Sequence, residues 1–274
     1  MIRPRKSFAQ HWLRSEVVLE KIVKAAEIKE GDRILEIGPG TGILTRRLLA
    51  ETNALVSVEV DRDLCKHLVK KLGEKENFML LQGDILELDL DATLANFPKF
   101  QNPNKVVANI PYNITGPILK ILLGTIVQPV RQSYDSIVLL VQKEICDRLC
   151  AKPNSKNFGA LSVRVQYLAN CELICDVPAT AFYPPPKVNS AVVRLRPYLR
   201  EKKVRDPRHL AMLVKLGFAN KRKMLRNNLK SLIEPDRLSL LLEELNLDPQ
   251  SRGEDISVEK WIELSDRITS IEAL

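Results

Sequence analysis

The stretch Arg33-Ile34-Leu35-Glu36-Ile37-Gly38-Pro39-Gly40-Thr41-Gly42 decides the fold. Aliphatic residues fill three of the first five positions, Ile34, Leu35 and Ile37, Gly31-Asp32 breaks the pattern before them, and the amphipathic run Leu44–Ala50 follows the glycines. The order is strand, tight turn, helix, an arrangement in which glycine lets backbone approach a ligand. A dinucleotide fingerprint would space its glycines G-x-G-x-x-G and offer the helix N-terminus to a pyrophosphate. Here the order is G-x-G-x-G, and a nucleoside cofactor is implied.

Upstream, Val17, Val18, Ile22, Val23, Ala26 and Ile28 recur at helical spacing, so a helix leads the core. Downstream, strands are expected at Leu55–Val60, Phe78–Leu81, Val106–Ala108 and Ser136–Val141, with helices at Leu64–Leu72 and Ile118–Leu123. Such alternation implies right-handed crossovers and a parallel sheet covered on both faces, a doubly wound, Rossmann-like α/β fold. Leu161–Leu168 reads as a helix, and Leu173–Val177 and Ala191–Leu195 read as late strands closing the sheet, with Pro184-Pro185-Pro186 holding an extended loop between them. From Pro207 onward only helices are expected, at 207–219, 221–233, 236–245 and 257–269. The organisation expected is a catalytic domain over 1–198 and a small helical domain over 199–274.

A chain of 274 residues, 45% hydrophobic and 28% charged, can bury a full core and is no disordered or fibrous sequence. Apolar runs such as Ile137–Val141 fall far short of the roughly 20 residues of a membrane span. Five cysteines are too few, and odd in number, for a disulfide scaffold, which suits a reducing, cytoplasmic setting. Cys146/Cys150 and Cys171/Cys175 form two C-x3-C pairs, but one falls on a helix and the other on a strand, so free thiols and no metal are expected. His67 and His209 read as helix-surface residues.

Charge is unevenly distributed along the chain. Residues 196–230 hold 12 basic and 2 acidic side chains, whereas 231–274 hold 4 basic and 11 acidic. Lys215, Lys221, Arg222, Lys223, Arg226 and Lys230 centre the excess, and Arg3, Arg5, Lys6 and Arg14 precede any acid. A polyanion partner fits both clusters.

Three strand ends carry candidate chemistry. Glu59 closes Val56-Ser57-Val58-Glu59, 21 residues after Gly38, where a nucleotide-binding sheet places the acid that takes ribose hydroxyls. Asp84 closes the next strand in Gln82-Gly83-Asp84-Ile85. The following strand ends in Asn109-Ile110-Pro111-Tyr112. The exocyclic amine of adenine is a poor nucleophile because its lone pair is delocalised into the ring. Two acceptors at one point, the Asn109 side-chain carbonyl and the Ile110 backbone carbonyl held by Pro111, would make that nitrogen more tetrahedral, while Tyr112 stacks on the base.

Glu36 and the glycines after it resemble motif I of the S-adenosylmethionine-dependent methyltransferases. Together with Asn-Ile-Pro-Tyr, nearly the whole chain resembles the ribosomal RNA adenine dimethyltransferases, and within them the bacterial small-subunit (16S) type. Arg5-Lys6-Ser7-Phe8-Ala9-Gln10-His11-Trp12-Leu13 is similar to the family's R-K-x-F-G-Q-x-F-L segment, with Ala9 and Trp12 replacing Gly and Phe. Phe182-Tyr183-Pro184-Pro185-Pro186-Lys187-Val188 is similar to its F-x-P-x-P-K-V loop. Phe218–Leu229 resembles the motif F-x-x-R-R-K-x-L-R-N-x-L of the 16S type.

The resemblance implies S-adenosylmethionine as cofactor, S-adenosylhomocysteine as product, and no metal. It places His11, Leu13, Glu36, Gly38, Gly40, Glu59, Asp84, Ile85 and Asn109 on the cofactor, with Asp84 accepting from its adenine amine. Phe182 is expected to sandwich the target adenine against Tyr112. Arg5, Lys6, Lys187, Lys221, Arg222, Lys223 and Arg226 are expected on RNA. The implied substrate is a pair of adjacent adenosines near the 3′ end of small-subunit ribosomal RNA, in an assembling 30S subunit; separately from the resemblance, a monomer is expected. A large-subunit methyltransferase of the antibiotic-resistance type shares the core motifs but not the 218–229 segment, which also argues against a DNA adenine methyltransferase. A NAD-dependent oxidoreductase and a non-catalytic assembly factor are the remaining alternatives.

Overall fold

The computed structural model describes residues 4–5, 10–130, 134–198, 200 and 203–272. In chain order these form β1 (Trp12–Leu13), α1 (Glu16–Ala26), β2 (Arg33–Ile37), α2 (Ile43–Glu51), β3 (Ala54–Glu59), α3 (Arg62–Leu72), β4 (Phe78–Gln82), α4 (Leu90–Leu94), β5 (Lys105–Asn109), α5 (Thr115–Leu123) and β6 (Ser136–Gln142). There follow α6 (Lys143–Leu149), α7 (Ala160–Gln166), β7 (Ala169–Val177), β8 (Phe182–Tyr183), β9 (Ser190–Pro197), α8 (Pro207–Gly217), α9 (Leu225–Asn228), α10 (Pro235–Glu244) and α11 (Val258–Glu272).

Seven strands make one sheet in the order β4-β3-β2-β5-β6-β9-β7. β2 pairs in parallel with both β3 and β5, so the order reverses on either side of it, and a crevice opens at the carboxyl ends of β2 and β5. β9 returns antiparallel to β6, with Leu139 opposite Val193. Strands β3 and β6 are buried along almost their whole length, as expected of central strands covered on both faces. Helix α1 packs on β5, β6 and β9, while α3 lies on β3 and β4. The exposed Val17 of α1 does not join the core stripe that its spacing suggested. Buried Lys105, at the start of β5, lies 2.8 Å from Asp32 and donates to the Ala26 carbonyl at 2.9 Å, tying the end of α1 to the sheet.

Residue contacts divide the chain into two units. The first comprises Met1–Leu122, Arg131–Cys146 and Cys171–Pro197; the second comprises Leu123–Val130, Asp147–Asn170 and Tyr198–Leu274. The helical unit thus draws on more than residues 199–274, because Phe158, Val163 and Tyr167 pack into the same core as Leu213, Leu238 and Trp261.

Within that unit two expectations need correction. The helix expected over 221–233 is a single helical turn, α9. Lys221, Arg222, Lys223 and Arg226 crowd like charges onto adjacent turns, and Leu225 donates its N–H to the Ser251 carbonyl instead. His209 is buried, not on the surface, and its Nδ1 is 2.8 Å from the Ser265 hydroxyl. Among the described residues no helix is long and apolar enough to cross a membrane, and no group of three or more His, Cys, Asp or Glu side chains gathers as a metal site.

Candidate active site

The crevice predicted by the sheet order is a cleft of about 260 Å³ in the first unit, lined by residues from the ends of β2, β3, β4 and β5 and from the N-terminal segment. Its floor is the glycine turn. Gly40 has φ +57 and its N–H donates to Glu59 Oε2 at 3.1 Å, so backbone and acid face each other across the cleft. Gly42 has φ +80, which strains any side chain there, and an added methyl group would lie 2.8 Å from the tip of Leu68, which would have to shift.

Two carboxylates from the strand ends meet this turn. Glu59 also accepts from the Asp61 N–H at 2.9 Å, and burial pushes its carboxyl above the usual range. Glu36 is fully buried; burial first, and the neighbouring Glu59 charge among the lesser causes, raise its carboxyl to about 7 against the Ser57 hydroxyl, which donates to it at 2.7 Å. Its other oxygen, Oε1, is buried and unpaired by distance and angle, with the likewise unpaired Thr45 hydroxyl near enough to the carboxyl to lower it. Such an atom is costly unless a donor arrives. Asp84 and Ile85 line the cleft from the end of β4, with Asp84 Oδ1 accepting from Leu86 N–H at 2.9 Å.

The N-terminal segment closes this site. Gln10 donates to Asp61 at 3.1 Å, and the Arg5 guanidinium reaches Asp61 at 3.2 Å and also pairs with Asp63. Arg5, expected on RNA, is in this structure the latch that ties the segment to the loop that begins α3. His11, Trp12 and Leu13 then line the cleft.

At the far end, the Asn109 side chain donates through Nδ2 to the His11 carbonyl at 3.3 Å. That bond turns the amide so that Oδ1, the acceptor, points the other way. Ile110 is buried, and Pro111 sits at φ −60, ψ 135, which fixes the direction of the turn. The Tyr112 ring lies nearly parallel to that of His11, with 6.0 Å between centroids. Its hydroxyl meets Ser190 Oγ at 2.5 Å, and burial holds the phenol above its usual range. His11 Nδ1 donates to the Pro184 carbonyl at 2.7 Å, so one residue joins the N-terminal segment, the Asn-Ile-Pro-Tyr turn and the proline-rich loop.

Nearly every cofactor and catalytic residue expected from the sequence is brought to one cleft. Phe182 is not. It pairs with Leu13 across the β1–β8 ladder and is buried in the apolar core with Leu19 and Val177, so the ring facing Tyr112 in this structure is His11. Ser190 is missed by sequence reasoning because nothing local marks a serine at the start of an antiparallel return strand as a partner for Tyr112. Lys187 is exposed, Lys6 lies outside the described residues, and Lys221, Arg222 and Lys223 are exposed in the second unit, with Arg226 partly covered. Lys221 donates to the Lys156 carbonyl at 2.5 Å and lies 3.6 Å from Glu254.

The chain matches the family model "Ribosomal RNA adenine dimethylase" over residues 1–270. The ribosomal RNA small subunit methyltransferase A of Trichormus variabilis is 69% identical over 265 residues, covering 97% of this chain and 98% of that protein. Its counterpart in a Synechocystis species is 59% identical over 271 residues, covering 96% and 95%. The crystal structure of a dimethyladenosine transferase from Plasmodium falciparum superposes with a TM-score of 0.74 at 27% identity, covering 93% of this chain and 96% of that one. A 23S ribosomal RNA methyltransferase, at 24% identity and a TM-score of 0.72, covering 94% and 99%, shares the fold. With this match over nearly its whole length, the chain belongs to the ribosomal RNA adenine dimethylase family and is a methyltransferase.

Proposed function

We propose that this enzyme transfers methyl groups from S-adenosylmethionine to the N6 amine of two adjacent adenosines near the 3′ end of small-subunit (16S) ribosomal RNA, in the cytoplasm, on an assembling 30S subunit. Support for this choice of RNA comes from relatives whose names specify the small subunit, at up to 69% identity over nearly full length. The basic segment around Arg222 and Lys223 supplies a surface for the RNA backbone.

The residues present fit the cofactor. A buried, unpartnered Glu36 oxygen lines the cleft where a cationic amine would satisfy it, and Glu59 beside Gly40 offers a carboxylate to a pair of ribose hydroxyls. Asp84 and Ile85 stand at the end of the next strand to take an adenine edge and face. When bound, the cofactor supplies a methyl group activated on a sulfonium. Binding and alignment are then the protein's main contribution.

The observation that carries the reading is the orientation of Asn109. With Nδ2 committed to the His11 carbonyl, Oδ1 is left to accept from the target amine, and the Ile110 carbonyl accepts its second hydrogen. Both bonds strengthen as the nitrogen becomes tetrahedral, so they favour the transition state over the ground state. Tyr112, fixed in plane by Ser190, stacks on the base, while Phe182 supports the wall from the core side. The alkylated nitrogen is acidic and loses its proton without a strong base.

Incubation of unmethylated small-subunit particles with labelled S-adenosylmethionine, followed by mapping of dimethyladenosine, tests this. Label in two adjacent adenosines near the 3′ end is expected. Label confined to large-subunit RNA, or no label, overturns it.

A further inference from the structure

The two-residue ladder of β1 and β8 sorts four aromatic and aliphatic side chains by face. Trp12 is opposite Tyr183 and Leu13 opposite Phe182. Opposed residues share a face and successive residues alternate. Leu13 and Phe182 turn into the apolar core, at 5% and 4% exposure. Trp12 therefore shares the other face with Tyr183; its indole lies against Gly40 of the glycine turn, where an added methyl group would meet it at 3.5 Å, and it lines the cleft. Tyr183, on the same face, is 48% exposed.

A second observation points the same way. The Arg14 guanidinium sits 4.1 Å from the centre of the Tyr183 ring. The pair is held from both strands: Arg14 donates its N–H to the Ala181 carbonyl at 2.8 Å, and the residue after Tyr183 takes the His11 Nδ1–H at 2.7 Å. An exposed aromatic with a guanidinium stacked on it, pre-ordered beside a cleft that accepts a purine, is the combination by which proteins hold unpaired bases.

Resting on the function proposed above, we propose that Tyr183 and Arg14 form a ledge at the mouth of the cleft that stacks the base of the nucleotide adjoining the target adenosine. The ring carries the base, and the guanidinium adds stacking and charge beside the flanking phosphate. Holding the neighbour there splays it from the target, so the target base enters the cleft alone.

The test measures methylation of unmethylated small subunits by Tyr183→Ala, Tyr183→Phe and Arg14→Gln enzymes, alongside S-adenosylhomocysteine affinity. Tyr183→Ala should raise KM for the particle roughly tenfold, within the range of one stacked base, with kcat and cofactor affinity unchanged. Tyr183→Phe keeps the ring and should stay within about twofold of the parent enzyme. An unchanged KM in Tyr183→Ala, or an equal loss in Tyr183→Phe, overturns the ledge. In particles reconstituted with an abasic residue beside the target, the parent and Tyr183→Ala enzymes should converge; a surviving tenfold difference also overturns it. If Tyr183→Ala loses cofactor binding, Arg14→Gln, which leaves the ladder residues in place, decides: a parental KM there is fatal to the proposal. Parent enzyme that labels no adenosine overturns the functional reading itself and the ledge with it. Parent enzyme that labels, with Tyr183→Ala indistinguishable from it, overturns the ledge alone.

Discussion

On the function proposed, the cleft at the strand ends and the basic segment of the helical unit serve one reaction by opposite physical means. In the cleft the working groups are buried or half-buried and each is oriented by a named bond: Glu59 by Gly40 and Asp61, Asn109 by the His11 carbonyl, Tyr112 by Ser190. In the helical unit Arg222 and Lys223 are exposed, on a stretch that forms only one helical turn. Position does the work in the first region and summed charge in the second. Substitutions should therefore act steeply and individually in the cleft, and shallowly and additively in the basic segment.

The steepest expected effect is at Asn109. Asn109→Ala removes a hydrogen bond that strengthens in the transition state, so kcat should fall about 10²- to 10³-fold while cofactor affinity changes little. Single-turnover methyl transfer beside calorimetric titration of S-adenosylhomocysteine measures both. A parental rate would remove Asn109 from catalysis and blur the contrast between the regions.

Glu59 sharpens it from the binding side. Glu59→Gln turns a donor amide toward the Gly40 or Asp61 N–H and loses the charge, leaving buried groups poorly matched. S-adenosylmethionine should bind roughly 10- to 100-fold more weakly, as expected for hydrogen bonds to an ionised group, with kcat at saturation less affected.

Much of the cleft was legible because its residues sit at strand ends, where spacing along the chain maps onto position in space. The strand Arg33–Ile37 has the expected bounds, and Glu36, Gly38, Gly40, Glu59, Asp84, Ile85 and Asn109 converge because parallel neighbours end at the same edge of the sheet. What stayed hidden depends on pairings between distant segments. Trp12 meets Tyr183, and Tyr112 meets Ser190, through contacts that two-residue strands announce by no periodicity. A one-residue difference in register decides whether Phe182 or Tyr183 faces out, and local sequence does not set it. The helix expected over 221–233 fails for another reason: the spacing of its apolar residues takes no account of the distant carbonyls, Ser251 and Gly217, that take the Leu225 N–H and the Asn228 amide.

Protonation of Glu36 gives a smaller and more graded effect. Its carboxyl is raised to about 7 in the folded chain, against an ordinary 4.5. Between those values the folded state holds the extra proton, so the apo protein should lose stability as pH rises from about 4.5 to about 7 and level off above. A cationic amine at the free Glu36 oxygen needs the ionised form. Cofactor affinity should therefore climb as pH rises toward 7, by up to about tenfold per unit, and flatten beyond it. Glu36→Gln should abolish both slopes; pH titrations of melting temperature and of S-adenosylhomocysteine binding read them. Persistence of either slope in the variant would assign it to another group, with Glu59, whose carboxyl is also raised, the first to examine.

In the basic segment, neutralising Arg222 and Lys223 should leave cofactor binding and the cleft chemistry untouched while weakening RNA binding uniformly. The logarithm of affinity against the logarithm of salt should lose about one unit of slope per phosphate contact removed. Lys221 should contribute less than either neighbour, because its ammonium is already turned to the Lys156 carbonyl and lies 3.6 Å from Glu254. Single, double and triple Gln variants measured from low to high salt give the increments. Equal steps from Arg222 and Lys223 with a small one from Lys221 would mark additive charge. A single dominant residue would mean that this region, too, works by position, and the contrast with the cleft would fall.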